Sequence, residues 1–567
     1  MARTRTADVL IVGAGPVGLS AAAELRRRRV RCRLVDRLPA RLPYAKAVGV
    51  QPRTLEIWDR MGLVGAVLEA AVPLRGQLIH VNGRERARIE LALPPEVPYG
   101  FAALPQYETE RLLEEYVAGL GTVIERGTEL VSFTQDRDGV TALLRTASGA
   151  GEEVRCRYLI GCDGAHSTVR KGLGLSFEGA AFPEEYMLAD VEADWDLPPG
   201  YGIRSSRLAD DGSTEAVLVC IPLPGTGRYR MSMLVPPELS AQIGGRADGA
   251  GVTHGLAGGR SPELSRIQAV VDRLGPRPAT LSRMRWSSVF RISHRIVDRY
   301  ADGRVLVAGD AAHIHPPTGA QGMNTGIQDA CNLAWKVALV VRGEAGSALL
   351  TTYDAERRPV GEEVVGRTVR HAVEGIEADR DDPRTVLLRE AQLLVGYRGG
   401  PLAGSPYGPA DAPQPGDRAP DCAGLTTPVA ARPLRLLDIL RGHTGQVVLL
   451  YAADPAELAG AVEAAGLAPA VEAVGATTAV VDAGSPGLPG AGFRTLTILA
   501  REAAPRAEDA LPVPGYRDAA GEFALLYRPG GPAGFVVRPD GQLGARFPLA
   551  DTSAALSAYR TALSPPG

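Results

Sequence analysis

Two hydrophobic rhythms divide the chain. Residues 8–12 form a short apolar run, 17–28 read as a helix and 31–36 as a second strand, so the opening pattern predicts a strand-helix-strand unit. Arg26 to Arg29 close that helix and suit the negative end of its dipole, which predicts a solvated helix end. From about 76 to 100, and again from about 176 to 286, strand-like segments replace this alternation. Residues 216–221 and 228–235 flank a Pro- and Gly-rich stretch at 222–227, the pattern of two antiparallel strands and their loop. The glycine-rich stretch 244–259 reads as a surface loop. A later helix carries Ile327, Ala330, Leu333, Ala334, Val337 and Val341 near the spacing of one buried face.

Residues 399–420 are dense in Pro, Gly, Ala and Asp, the composition of a linker. Beyond them strands are expected near 447–451, 477–481, 495–499 and 534–538, with a hairpin turn at Arg538-Pro539-Asp540-Gly541 and a closing helix at 552–563. A length of 567 residues allows several cores.

Charge narrows the partners. A charged fraction of 22% and a net charge of -3 provide neither a basic surface for nucleic acid nor an acidic tail, so small molecules or other proteins are expected. No apolar run approaches the ~18 residues that span a bilayer, so no membrane partner is expected. Six cysteines (32, 156, 162, 220, 331 and 422) include no CxxC pair, which fits a reducing cytoplasm. The first 25 residues have a basic start and an apolar stretch, but Asp8 and three glycines interrupt any signal peptide. Only Lys46, Lys171 and Lys336 are lysines, and all three fall in or beside the motifs below.

The first motif is Gly13-Ala14-Gly15-Pro16-Val17-Gly18, directly after a strand and opening a helix. Gly13 permits a tight turn, Gly15 lets backbone approach a pyrophosphate, and Gly18 lets helix and strand pack closely. The phosphate then sits on the helix N-terminus. Asp36, with Arg37 beside it, closes the next strand where an acid can accept from an adenosine ribose.

Two further motifs repeat the design of a buried strand ending in an aspartate. Residues 158–170 run through Gly161-Cys162-Asp163-Gly164, and residues 303–313 through Ala308-Gly309-Asp310-Ala311-Ala312-His313. The latter leads into Pro316-Pro317-Thr318-Gly319-Ala320-Gln321-Gly322-Met323-Asn324 and then the helix. The set resembles the class A flavoprotein monooxygenases, the family of phenol and para-hydroxybenzoate hydroxylases and aromatic polyketide hydroxylases, over roughly residues 7–380. Two smaller stretches agree, 46–56 and 106–112.

The resemblance implies non-covalent FAD. By it Asp310 binds the ribityl or phosphate part, Asp163 lies near the pyrophosphate and the transient nicotinamide, and Gln106 contacts FAD. Lys46 stands where the family usually has an arginine, keeping the charge but losing the fork. Asp36 stands where glutamate is common. The helix that starts at Gly322, Met323 and Asn324 presents free N–H groups and a positive dipole end, suited to the negative N1 and C2=O of a reduced flavin, so these residues and Pro317 form the expected ring loop. No catalytic base is named. His313 and His315 lack a third ligand, so no metal is expected.

The implied fold class is α/β: a Rossmann-type FAD-binding domain (1–75, 101–176 and 287–398) with an inserted antiparallel-sheet substrate domain (76–100 and 177–286), a linker at 399–420 and a C-terminal thioredoxin-like domain at 421–567. Alternate positions on the inserted sheet, Tyr229, Met231 and Met233, with His80 and Arg204 as polar partners, are the expected substrate pocket. One glycine motif implies that NADPH or NADH binds transiently. The family scheme takes O2 to a flavin C4a-hydroperoxide that attacks an ionised phenol. Baeyer-Villiger oxygenation of a polycyclic ketone is the close alternative, although the FxGxxxHxxxW fingerprint is absent. Tryptophans 58, 195, 286 and 335 form no WxW pair, which disfavours a halogenase. A flavin-binding sensor without turnover is the alternative from another class. Cys422, alone in the tail, leaves it packing or homodimer contact rather than dithiol chemistry.

Overall fold

Burial on both faces makes the first strands nearly continuous in apolar residues, and they pair in parallel as such strands do. The computed structural model describes residues 5–44, 47–235, 262–374, 381–467, 493–505, 507 and 511–564. Lys46, the glycine-rich stretch 244–259 and the strand expected at 477–481 lie outside the described residues. By contact the chain divides into two units, one of residues 1–58, 63–331 and 357–393, the other of 59–62, 332–356 and 394–567.

In the first unit, β1 (Arg5–Val12), α1 (Pro16–Arg27) and β2 (Cys32–Asp36) form the expected strand-helix-strand unit. The chain then passes β3 (Gly76–Val81) and α2 (Gln106–Gly119) to β4 (Gly151–Gly161) and the short α3 (Thr168–Gly172). Next come β5 (Phe177–Ala193), β6 (Tyr201–Leu208), β7 (Thr214–Pro222), β8 (Arg228–Leu234), α4 (Leu264–Leu274) and β9 (Leu281–Val297). The chain returns through β10 (Val305–Val307) to α5 (Gly322–Val341) and α6 (Thr351–Glu374), of which residues 332–356 count with the second unit. One sheet runs β10-β4-β1-β2 in parallel, so the ends of β1, β4 and β10, which carry the three motifs, lie side by side.

The helix end after α1 is corrected. Arg26 donates to the Leu120 carbonyl, and Arg27 and Arg28 both pair with the buried Glu24. These arginines tie α1 internally, and of the four only Arg29 is exposed.

A second sheet runs β9-β5-β8-β7-β6-β3. Its neighbours are antiparallel except β6 and β3, which are parallel. Alternation gives it two unlike faces. One face carries Met187, Ala189, Leu218, Met231 and Met233, packed in a single core with Ile267, Val270, Val271 and Leu274 of α4. The four α4 residues recur at i, i+3, i+4 and i+7, the stripe that seats a helix on a sheet. The opposite face is not covered by α4 and is mixed in polarity, half-buried at Arg204, Val219 and Ser232 and buried at Leu188, Asp190, Arg230 and Ser288.

The second unit has a sheet in which β11 (Val447–Ala452) and β12 (Arg494–Leu499) are parallel, while β13 (Ala533–Val537) and β14 (Leu543–Pro548) follow antiparallel on the β11 side. The closing helix α7 spans Thr552–Leu563. The expected hairpin turn is formed, with Gly541 at φ 81° donating to the Arg538 carbonyl. Residues 399–420 belong to this unit, and Gly404 and Gly416 donate to the carbonyls of Gly544 and Leu543. Buried inside it, Glu356 accepts from Arg538 (2.7 Å to each oxygen), Lys336 (2.7 Å) and Asn332 (2.8 Å). Burial alone would raise the Glu356 carboxyl, but Arg538 and Lys336 hold it well below the usual carboxylate range.

Candidate active site

Close approach explains the glycines of the first turn. Gly13 has φ 102°, and a Cβ on it would lie 2.3 Å from the Cys162 carbonyl oxygen, so the turns after β1 and β4 touch. A Cβ on Gly18 would lie 1.9 Å from the Gly13 oxygen. Gly15 differs, because a Cβ there would meet nothing within 4 Å. Gly15 is the N-cap of α1, and no side chain caps that end. An open cradle at an uncapped helix N-terminus has the shape and polarity that a pyrophosphate needs. Val17 packs inward instead, its methyls 2.7–2.8 Å from where a Cβ on Gly326 or Gly309 would sit, which seats the third motif against α1.

Asp36 braces this turn. Its carboxylate accepts from the N–H of Ala14 (2.7 Å) and of Leu38 (2.8 Å), with Arg126 at 3.5 Å. Arg37 is exposed. Asp163 is occupied in the same way, accepting from Ser167 Oγ (2.6 Å) and from the N–H of Thr168 (2.7 Å) and Val169 (3.2 Å), and burial pushes its carboxyl up. It therefore shapes the turn that backs onto Gly13. Asp310 is the exception among the three acids. It is exposed, and its carboxylate has no protein partner among the described residues, leaving both oxygens for a ligand hydroxyl.

Beneath Asp310 lies a buried network that the sequence does not announce. Asp329 accepts from the Gly309 N–H (3.1 Å) and from Arg357 Nε (2.7 Å), and lies 2.8 Å from His313 Nε2. Burial would raise Asp329, yet Arg357 and His313 bring its carboxyl below the ordinary value. Arg170, also buried, donates to the carbonyls of Ala165 and Ala311 and so joins the second and third turns. His315 has its Nδ1 2.9 Å from the Pro316 oxygen, and burial, with His313 and Arg367 nearby, pushes it down to about 4, so its ring is neutral.

The ring loop is pinned by one amide. Asn324 accepts from the Gln51 N–H (3.0 Å) and Thr54 Oγ1 (2.7 Å) and donates to the oxygens of Gly49 (2.9 Å) and Ala320 (2.8 Å). Gln51 Nε2 adds a bond to the Gly319 oxygen at 2.6 Å. Asn324 is thus a clamp on the loop. Gly322 and Met323 are half-buried in the first turn of α5, with the His315 ring 3.5 Å from where a Cβ on Gly322 would sit. Pro317 is exposed. On the other side, Gln106 accepts from the Ala47 N–H (3.3 Å) and donates to Glu110 (2.8 Å). Burial pushes the Glu110 carboxyl up to about 7.

The substrate side departs from expectation. Tyr229, Met231 and Met233 lie in the core with α4, on the covered face of the sheet. His80 is buried and pairs in register with Ser205, on that same face. Arg204 is the one residue of the five on the uncovered face. Its row crosses the sheet as Ile79, Arg204, Val219, Ser232, Leu188 and Ser288, each opposite the next. Two residues along β7 from Val219, Ile221 packs against Val48 and Ala103. Gly49, next to Val48, abuts Ala320 of the ring loop. Arg228 and Arg285 both donate to the Tyr107 hydroxyl, beside Gln106. The uncovered face is therefore the one turned toward the ring loop and the cofactor-side elements. Period-two alternation marks two faces, and the apolar stripe of α4 was the signal for which one is covered.

The residues fit a flavin dinucleotide: an open phosphate cradle at Gly15, a free carboxylate at Asp310 and a helix N-terminus at Gly322. Among the described residues no helix is long and apolar enough to cross a membrane. The family described as FAD binding domain matches residues 6–368. The chain is 41% identical over 367 residues to 6-methylpretetramide 4-monooxygenase of Streptomyces rimosus, covering 64% of this chain and 61% of that protein. A flavin-dependent monooxygenase of Mycobacteroides abscessus is 35% identical over 466 residues, 80% of this chain and 90% of the relative. Aklavinone-11 hydroxylase, solved as a ternary complex with FAD and aklavinone, has a TM-score of 0.74 at 25% identity, covering 98% of this chain and 99% of that one. The chain belongs to the FAD-binding-domain family of flavin-dependent monooxygenases, whose members act on aromatic and polyketide compounds.

Proposed function

We propose that the protein is an NAD(P)H-consuming hydroxylase of a phenolic or polycyclic polyketide substrate, working in the cytoplasm with O2 as co-substrate. The observation that carries this reading is the contact of the sheet, through Ile221, with Val48 and so with the clamped loop that leads into α5. FAD, when bound, supplies the two-electron carrier and the oxygen-transferring centre. The chain does the rest. The N-terminus of α1 and the open side of Gly15 hold pyrophosphate, and Asp310 accepts from a ribityl hydroxyl. Asn324 fixes the loop so that the first turn of α5 aims its N–H groups and positive dipole end at negative charge on the ring. The uncovered sheet face closes the substrate cavity and excludes water from it. The described residues contain one glycine-rich dinucleotide turn, which supports transient use of NAD(P)H.

The test is anaerobic reduction of the bound flavin by NADPH, followed by stopped-flow absorbance, with a panel of phenols and tetracyclic polyketides. A true substrate is expected to speed reduction at least about tenfold, equivalent to about 1.4 kcal/mol of barrier. An FAD-loaded protein that consumes neither NADPH nor NADH with any of them, under air, would overturn the reading.

A further inference from the structure

Most arginines of the long strands of the substrate sheet have a partner. On its uncovered face Arg230 grips Asp190 through Nε (2.5 Å) and Nη2 (3.2 Å), and Trp286 donates to the same carboxylate at 2.9 Å. Arg228 is used up on Tyr107 and the Pro224 oxygen. Arg204 differs. It is half-buried and has no hydrogen-bond or ion-pair partner among the described residues. The residues opposite it on both neighbouring strands are apolar, Ile79 and Val219, and the rest of its row, Ser232, Leu188 and Ser288, is uncharged. Tyr186 feels its charge, and Glu184, the other charge acting on Tyr186, is exposed and forms no ion pair with Arg204. A partly desolvated cation without a counter-ion is a cost that a cavity wall carries when a ligand anion relieves it.

Position decides what that anion is. Arg204 sits one pleat repeat, about 7 Å, beyond the row in which Ile221 meets Val48 at the edge of the ring loop. A flat aromatic substrate lying on Val219 and Ile221 would thus place one end near the ring loop and the other at Arg204. We propose that Arg204 is a specificity-determining residue that receives a delocalised oxyanion of the substrate, a phenolate or an enolate, so that the protein selects the ionised form. The guanidinium suits this better than an ammonium, since its planar fork donates two parallel bonds to adjacent oxygens. The inference rests on the hydroxylase reading for the identity of the ligand, but binding alone tests it.

The probes are 4-nitrophenol and 4-nitro-1-naphthol, whose absorbance reports their own ionisation, titrated with oxidised holoenzyme across pH. Wild type is expected to bind the ionised form at least about tenfold more tightly, lowering the apparent pKa of the bound probe by about one unit, worth about 1.4 kcal/mol. Arg204→Gln abolishes the preference and Arg204→Lys keeps part of it, while FAD content, read from bound-flavin absorbance, stays at the wild-type value and so reports an intact fold. Equal preference in wild type and Arg204→Gln, or a wild type that binds neither probe or both forms alike, overturns the proposal. A protein that shows the Arg204-dependent shift but never oxidises NADPH in response to any aromatic compound refutes the hydroxylase reading and leaves the oxyanion site standing.

Discussion

Replacing Glu110 by Gln should make the protein more stable than wild type at pH 8, with a much smaller difference at pH 5. Glu110 is 8% exposed, and burial pushes its carboxyl from 4.5 up to about 7, with Glu114 adding to the rise and Gln106, Arg126 and Arg41 opposing it. An unfolded chain releases this proton near pH 4.5, whereas the folded chain holds it until about 7, so folded protein binds more protons between those values. The contribution of Glu110 to stability is therefore intact at low pH and is lost as pH rises from about 4.5 through 7. At about 1.4 kcal/mol for each pH unit, the full loss is about 3.5 kcal/mol, and solvent relaxation around the ionised form brings the expected figure to about 1–3 kcal/mol. Glutamine keeps an oxygen to accept from Gln106 Nε2 and carries no proton to lose. The assay is denaturant or thermal unfolding of both proteins, FAD-loaded, at pH 5 and pH 8. Since Glu114, Arg126 and Arg41 are present in both, their own titration cancels in the comparison. Parallel changes in the two proteins between pH 5 and pH 8 would refute the argument.

Other outcomes follow from the same geometry. Gly15→Val should fold and lose most of its FAD, because a side chain there meets only the phosphate cradle, whereas Gly18→Val should fail to fold, its Cβ falling 1.9 Å from the Gly13 oxygen; circular dichroism and bound-flavin absorbance separate the two. Glu356→Gln should destabilise by about 3–5 kcal/mol in denaturant unfolding, since it leaves Arg538 and Lys336 buried without their common carboxylate. Cys422→Ser should leave turnover unchanged in the NADPH oxidation assay, because the thiol is fully buried, burial raises it well above the ordinary value, and no second cysteine lies in its unit; a tenfold drop would contradict this.

What was legible in the sequence was local. The glycine turn, its helix and Asp36 lie within 24 residues, and each residue type there answers a need of its own neighbourhood. Asp163 and Asp310 were readable because each ends a buried strand. The supports were not readable, because their partners are remote or unmarked: Arg170 reaches Ala311 across 141 positions, and Arg357 reaches Asp329 across 28. Glu110 looks like any surface acid of an amphipathic helix until packing buries it. The arginines after α1 were misread for the same reason, since Glu24 takes two of them inside the helix packing rather than in water. The pocket candidates failed on parity. Tyr229, Met231 and Met233 are alternate positions on one strand, and their apolar character directs that alternation under α4, while the row with Arg204 and two serines lies on the other face.

The two unlike faces of that sheet also bear on how such a protein changes. Because neighbouring residues on a strand point to opposite sides, Ser232 can be exchanged without disturbing Met231 or Met233, and Val219 without disturbing Leu218 or Cys220. Mutational drift at the open positions reshapes the cavity wall while the fold keeps its ballast on the far side. Libraries restricted to residues 79, 204, 219 and 232, all half-buried, should therefore retain a high fraction of folded, yellow protein while altering which aromatic compounds are accepted, and shifting the same library by one residue along each strand should yield mostly unfolded chains.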